Sequence, residues 1–299
     1  MLIKMFINKI YYTLIIVFIM IVSLSFNFIN KKNNNIIETE YVSNLNITHV
    51  YLLNNDNYLV KVDYLLRRNN TIENVKDILN ELSITNKKYN NLKGLIPSNT
   101  KINDIKLNNK IITIDFSSDL LKVNKVLEEK VIESIVYSLI ELKDIDNVII
   151  TIDNKPLTKL EKNNKNIPIL LNESIGINKT YDINNIKDIE KVIVYYQYDD
   201  YYVPVTKYIN SHDNKVKIII DSLKGNYFYN TNLRSYLSKK DIIDYKLDKD
   251  ILTITFNSLN EDNLEIITYS LANSVFESID VNQVVFELNS NIIDIKKRN

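Results

Sequence analysis

The chain has 299 residues, 45% of them hydrophobic, and its 37 basic side chains balance its 37 acidic ones. That length accommodates about two ordinary domains with real cores, and zero net charge leaves no electrostatic footprint for nucleic acid. The absence of cysteine excludes disulfides, thiolate metal sites, a cysteine nucleophile and a lipidated cysteine, and 3 glycines are too few for a glycine-rich phosphate loop.

Residues 10–29, IYYTLIIVFIMIVSLSFNFI, are almost uniformly apolar and match the ~20 residues that a helix needs to cross a bilayer core. Lys4 and Lys9 precede the run, and Lys31 and Lys32 follow it. The run is long for the apolar part of an export signal and has no A-x-A site. Residues 1–32 are therefore read as an uncleaved membrane anchor, with the remainder on the extracytoplasmic side of the cell membrane. The alternative is a cleaved signal, with Ser23 and Ser25 before the cut, and a secreted product. Residues 30–35 then form a polar tether.

Beyond the tether the chain states one pattern twice. Residues 50–66 form two apolar runs around a polar turn, which predicts a hairpin. Residues 75–82 follow with helical spacing. In residues 105–116 Ile112, Ile114 and Phe116 alternate, the period of a strand with one buried face. Residues 127–142 repeat apolar side chains every three or four positions, the period of an amphipathic helix, and residues 147–153 read as a strand. The second statement runs through residues 194–209, 216–223, 245–256, 267–276 and 283–289. Residues 216–223 alone would read as a strand; the clearer first copy decides for a helix. The expected fold is α+β: two similar domains, residues 47–158 and 191–294, each a mainly antiparallel sheet with two helices packed on it. Residues 159–190 are expected to be a polar linker that packs in part through its apolar patch, residues 167–171.

The chemistry-bearing side chains are sparse. His49 and His212 are the only histidines and share no motif, so both are expected in exposed loops. No H-E-x-x-H, G-x-S-x-G or S-x-x-K pattern occurs, and residues 247–250 lack the glycine and spaced oxygens of a calcium loop. Asp115 ends a strand, but its counterpart is Thr255, so it is read as solvent-facing rather than catalytic. Asp199 and Asp200 form a hairpin tip. Around that tip stand Tyr195, Tyr196, Tyr198, Tyr201 and Tyr202. They can serve as cross-strand packing, or they can grip a sugar or a partner's pocket. Strand alternation prevents all of them from facing the core, and Tyr196, Tyr198, Tyr201 and Tyr202 form the candidate interaction surface. No catalytic residue, cofactor or metal site is expected.

These segments resemble the GerM domain family of bacterial sporulation and spore germination proteins. The resemblance rests on LIPSNTKI at residues 95–102, ITIDFSSDL at 112–120 and residues 135–157 in the first copy. In the second it rests on residues 192–209 and on SLKG at 222–225. Asn99 and Asn154 stand where the family has glycine, Ser238 stands opposite Pro97, and Thr255 opposite Asp115, so the second copy is the more diverged. The resemblance implies a non-enzymatic envelope domain whose fold is like the ring-building motif of secretion and spore-channel proteins. The implied partners are envelope proteins or the chain itself, in lateral or ring-like assembly, with the membrane held through residues 10–29. Peptidoglycan or another wall polymer is the alternative partner.

Overall fold

The computed structural model describes residues 46–85, 89, 91–225, 228, 231–239, 243–259 and 261–298. The expected anchor at residues 10–29 lies outside them. From Thr48 onward the described residues form one compact unit.

The first repeat runs β1 (Ile47–Asn54), β2 (Leu59–Leu65), α1 (Thr71–Glu81), β3 (Leu92–Lys93), β4 (Ile102–Asn108), β5 (Ile111–Phe116), α2 (Glu128–Ile140), β6 (Asn147–Ile152) and β7 (Lys155–Pro156). Three short strands follow: β8 (Lys159–Leu160), β9 (Lys165–Asn166) and β10 (Thr180–Asp182). The second repeat runs β11 (Ile189–Tyr198), β12 (Tyr201–Asn210), α3 (Lys215–Leu223), β13 (Ile243–Asp248), β14 (Ile251–Phe256), α4 (Leu264–Ser278), β15 (Gln283–Leu288) and β16 (Asn291–Lys297). The chain is thus α+β, with four α-helices among the described residues.

Asparagine caps start the ambiguous helices. The Asn70 side chain accepts the Glu73 N–H at 3.1 Å, and Asn214 accepts the Lys217 N–H at 2.9 Å. The second cap resolves the β-branched run Ile218, Ile219 and Ile220 in favour of helix: it satisfies one of the N–H groups that a helix start leaves orphaned. All three isoleucines are then buried.

The sheets differ from the expected single antiparallel one per repeat. The central hairpin lies in its own four-stranded sheet, ordered β4-β5-β6-β7 in the first repeat and β13-β14-β15-β16 in the second. The middle pairs, β5 with β6 and β14 with β15, are parallel. A helix must intervene between parallel neighbours, and α2 and α4 are those crossovers. Their apolar stripes cover the inward side chains Ile112, Ile114 and Phe116, and Leu252, Ile254 and Phe256, all of them fully buried.

β7 and β16 were not expected. Each follows a two-residue turn with positive φ at both positions: Asp153 at 48° and Asn154 at 65°, Asn289 at 50° and Ser290 at 66°. Such turns match the twist of a hairpin, so the chain returns as another strand. Asn154 therefore occupies the left-handed region where the family has glycine. Asn99 does not; its turn is closed by the Thr100 N–H donating to Pro97 O at 3.0 Å.

The opening hairpins of both repeats share a third sheet, ordered β10-β12-β2-β1-β3 with β11 on β12. Here β2 meets β12, its counterpart in the other repeat, antiparallel, with Lys61 opposite Tyr202. Equivalent strands paired antiparallel relate the repeats by a local two-fold axis, the isologous arrangement of a symmetric dimer.

One glycine is fixed by close packing. A Cβ on Gly94 would lie 2.3 Å from Leu82 O and 2.4 Å from Ser83 O, both backbone atoms at the end of α1. Gly94→Ala is expected to cost about 1–3 kcal/mol, the range for overpacking, read as a lowered thermal midpoint. An unchanged midpoint would show that the segment shifts freely.

Candidate functional site at the seam between the repeats

The tyrosine cluster divides once the hairpin is placed. Tyr196 is 1% exposed; its hydroxyl donates to Ser222 O at 3.0 Å, and its ring lies 5.0 Å from that of Phe228. This corrects its placement on an interaction surface: it belongs to the core against α3. Tyr198 and Tyr201 are half-buried and face each other beside the tip, where Asp199 takes φ 48°. Tyr202 is half-buried on the opposite face and stacks on Tyr269 of α4 with ring centroids 3.9 Å apart.

Tyr195 leads to a feature repeated in both halves. The Tyr195 N–H donates to Ser274 Oγ at 2.9 Å, and the Tyr51 N–H donates to Ser138 Oγ at 2.9 Å. Ser134 Oγ also donates to Tyr51 O at 2.7 Å, and the Ile193 N–H donates to Ser278 Oγ at 2.9 Å. Serines of α2 and α4 thus satisfy backbone groups of β1 and β11, so the helices cover those strands. One turn on, each helix places a glutamate under the same tyrosine. The Tyr51 hydroxyl donates to Glu141 at 2.7 Å, and the Tyr195 hydroxyl to Glu277 at 3.4 Å.

The two glutamates have opposite surroundings. Glu141 Oε2 lies 2.7 Å from His49 Nδ1, and its other oxygen lies 3.2 Å from Lys61 Nζ. Burial raises the Glu141 pKa, but the His49 hydrogen bond, the charges of Lys61 and His49 and the Tyr51 hydroxyl outweigh it and hold it down at about 2. The Glu277 pKa is raised, by burial first and by the charge of Glu141 as well, with Lys61 opposing. Burial also pushes the Tyr51 and Tyr195 hydroxyls well up, helped by Glu141 and Glu277. His49, expected in an exposed loop, therefore sits on β1 with its side chain 25% exposed and engaged. His212 is exposed, 3.9 Å from Asp188.

Asn178 completes the seam from the segment between the repeats. Its Nδ2 donates to Leu59 O and to Pro204 O at 2.8 Å each, and its Oδ1 accepts the Leu59 N–H at 2.9 Å. Pro204 occupies the position equivalent to Lys61 and has no N–H, so the ladder between β2 and β12 cannot continue there. The Asn178 amide takes its place. Beside it the Asn178 N–H donates to Glu133 at 3.1 Å, and Lys179 pairs with Glu133 and, at 2.7 Å, with Glu129.

Asp115 is a further correction. It is 4% exposed, not solvent-facing. It accepts from Thr151 Oγ1 at 2.5 Å, the Asn154 N–H at 2.8 Å and Asn103 Nδ2 at 2.9 Å. The Thr151 bond first, with Asn103 and Asn154, holds its pKa below the usual carboxylate value against burial. It ties β5 to the turn before β7. Among the described residues no three metal-binding side chains converge on one point.

Fold and seam together define a tandem α+β protein, two like halves closed on each other through buried polar side chains. Residues 49–158 match the family model described as "Germane: Sporulation and spore germination". Over 218 residues the chain is 28% identical to the spore germination protein GerM of Bacillus subtilis (strain 168). That match covers 67% of this chain and 59% of the relative, so it spans less than two thirds of the relative's length. The solved structure of the tandem GerMN domains of the sporulation protein GerM from Bacillus subtilis superposes with a TM-score of 0.71 at 21% identity, over 83% of this chain and 92% of that one. Residues 49–158 thus match the sporulation and spore germination family model, and the fold of the chain is similar to that of a tandem GerMN pair.

Proposed function

We propose that this chain is a GerM-type protein, a membrane-anchored, extracytoplasmic scaffold of the bacterial cell envelope. It serves sporulation or germination by binding other envelope proteins or itself, without catalysis. The observation that carries this reading is the seam. Buried Glu133 holds Asn178 and Lys179, Asn178 joins the two repeats into one block, and that block turns two similar four-stranded sheets outward. The anchor is residues 10–29; among the described residues no helix is long and apolar enough to cross a membrane.

In-cell crosslinking of the tagged full-length chain, followed by mass spectrometry of what it captures, tests the scaffold. Recovery of the chain itself or of other membrane-anchored envelope proteins is the expected result. Hydrolysis of wall glycan by the purified full-length chain would overturn it. A second reading, binding of peptidoglycan or another wall polymer, draws on the half-buried pair Tyr198 and Tyr201 at the hairpin end. Under it, the Tyr198→Ala/Tyr201→Ala double variant loses co-sedimentation with cell walls; on the scaffold reading, capture of envelope proteins survives that change.

A further inference from the structure

Strand edges decide where a sheet can grow. In the shared sheet, β2 and β12 consume each other's edges, and serines of α2 and α4 satisfy outward backbone groups of β1 and β11. An isologous seam closes on itself and does not propagate, so assembly of this block has to use another edge. The four-stranded sheets begin with β4 and β13, and among the described residues no strand pairs with the outer edge of either. β4 is irregular, with a register shift between Ile102 and Asp104, and its Lys106 pairs with its own Asp104. A bulge of that kind blunts an edge. β13 holds one unbroken register along its length.

β13 also lacks the usual inward charge of a protected edge. Its inward side chains are Ile243, Tyr245 and Leu247, and Leu247 remains 51% exposed. Beside them a cleft of about 490 Å³, lined by Val216, Tyr245, Leu247 and Ile279 among others, opens between the start of α3 and the end of α4. On the outward face Asp244 and Lys246 are both exposed.

This pattern complements itself. When two copies of β13 pair antiparallel about Tyr245, Asp244 of each falls opposite Lys246 of the other. On the inner face Ile243 of each falls opposite Leu247 of the other, next to the cleft. A shift of two residues toward Leu247 would instead set Tyr245 against Lys249. We propose that β13 is a self-pairing edge, through which two copies of this chain join their second-repeat sheets into one continuous eight-stranded sheet. The inference deepens the scaffold reading and rests on it: it names one partner, a second copy, and the surface that receives it. Because the contact is isologous, it yields closed pairs rather than filaments. Tethering to a common membrane raises the effective concentration at which a modest strand contact forms.

The absence of cysteine makes the register directly testable in the full-length chain. Asp244→Cys and Lys246→Cys copies carrying different tags are co-expressed and treated with a mild oxidant. Directly opposed positions lie about 4.5–5.5 Å apart at Cβ and diagonal ones about 7–8 Å, and a disulfide needs roughly 3.5–4.5 Å. The mixed-tag link is expected in at least about ten-fold excess over either same-tag link. No mixed link, or equal linking in every combination, overturns the proposal.

A charge test supports the same conclusion without cysteine. Asp244→Lys alone, and Lys246→Asp alone, set like charges opposite each other, and each is expected to weaken self-association by roughly ten-fold. Mixing the two variants restores opposite charges at both positions and recovers association; a mixture no better than either variant overturns the inference. Loss of self-pairing with envelope proteins still captured by the unaltered chain would refute this inference alone. Loss of all captured partners would refute the scaffold reading as well.

Discussion

Replacing Asn178 by alanine should cost about 4 kcal/mol of stability, through three buried backbone groups left without partners at ~1–3 kcal/mol each. Asn178 is 2% exposed and holds the Leu59 N–H, Leu59 O and Pro204 O at once. It also accepts from Lys130 Nζ at 2.7 Å. No neighbouring backbone can substitute, because Pro204 offers no donor. Alanine would in addition occupy φ 48°, a conformation that costs an ordinary L-residue roughly 1–2 kcal/mol. Asn178→Gly removes that strain but none of the lost bonds, so it should recover only the smaller part. Asn178→Asp keeps an acceptor for Leu59 N–H but sets a carboxylate against two carbonyl oxygens, and should fare little better than alanine. Equilibrium denaturation gives the total, and amide exchange at Leu59 locates it: that proton should lose its protection in the alanine variant. A loss below about 1 kcal/mol with Leu59 still protected would mean that water replaces the amide, and the seam would not depend on this side chain.

Much of the fold could be read from periodicity, and the reasons for the rest are local. Alternation in residues 111–116 and 251–256 and the apolar stripes of α2 and α4 are dictated by burial of one face, so they stand out in a single sequence. The helix at residues 216–223 needed the repeat, because Ile218, Ile219 and Ile220 favour a strand and only the Asn214 cap and burial override them. β7 and β16 are signalled by the turn residues Asp153–Asn154 and Asn289–Ser290, which take positive φ. The parallel pairing of β5 with β6 was implied by the helix between them. The separation of the opening hairpin into another sheet was not, because pairing between distant strands leaves no local trace.

The site was less legible. Tyrosines at a hairpin tip look alike in sequence, and only the positions of α3 and α4 send Tyr196 inward and Tyr202 onto Tyr269. The seam does leave a mark in the sequence: Ser134, Ser138 and Glu141 recur at the same spacing as Ser270, Ser274 and Glu277. Buried serines four apart on an apolar helical face are unusual enough to ask what they bond. Asn178 carried no such mark, since its role comes from the missing N–H of a proline in another segment.

The repeated glutamates should respond in opposite directions to the same substitution. Glu141 has His49 and Lys61 beside it; at the matching positions of the second repeat stand Ile193 and Pro204, so among the described residues Glu277 has no cation of its own and shares Lys61. Glu141 titrates at about 2, below the unfolded value near ~4.3. Its contribution is therefore present above that unfolded value and is lost as pH falls from ~5 towards 2. Glu141→Gln should then lower stability by up to about 3 kcal/mol at pH 7, the equivalent of its shift, and by almost nothing near pH 2. Glu277 is displaced the other way. Its folded state favours the neutral acid, a preference satisfied below the unfolded value and lost as pH rises through its raised folded value. Glu277→Gln, which keeps an acceptor for the Tyr195 hydroxyl and removes the charge whose pKa is raised, should thus raise stability modestly at pH 7 and leave it unchanged in acid. Urea denaturation of the two variants and the parent across pH 2–7 makes the comparison. Two variants that shift in the same direction at neutral pH would show that Lys61 serves both carboxylates alike, and that the asymmetry between His49 and Ile193 has no energetic consequence.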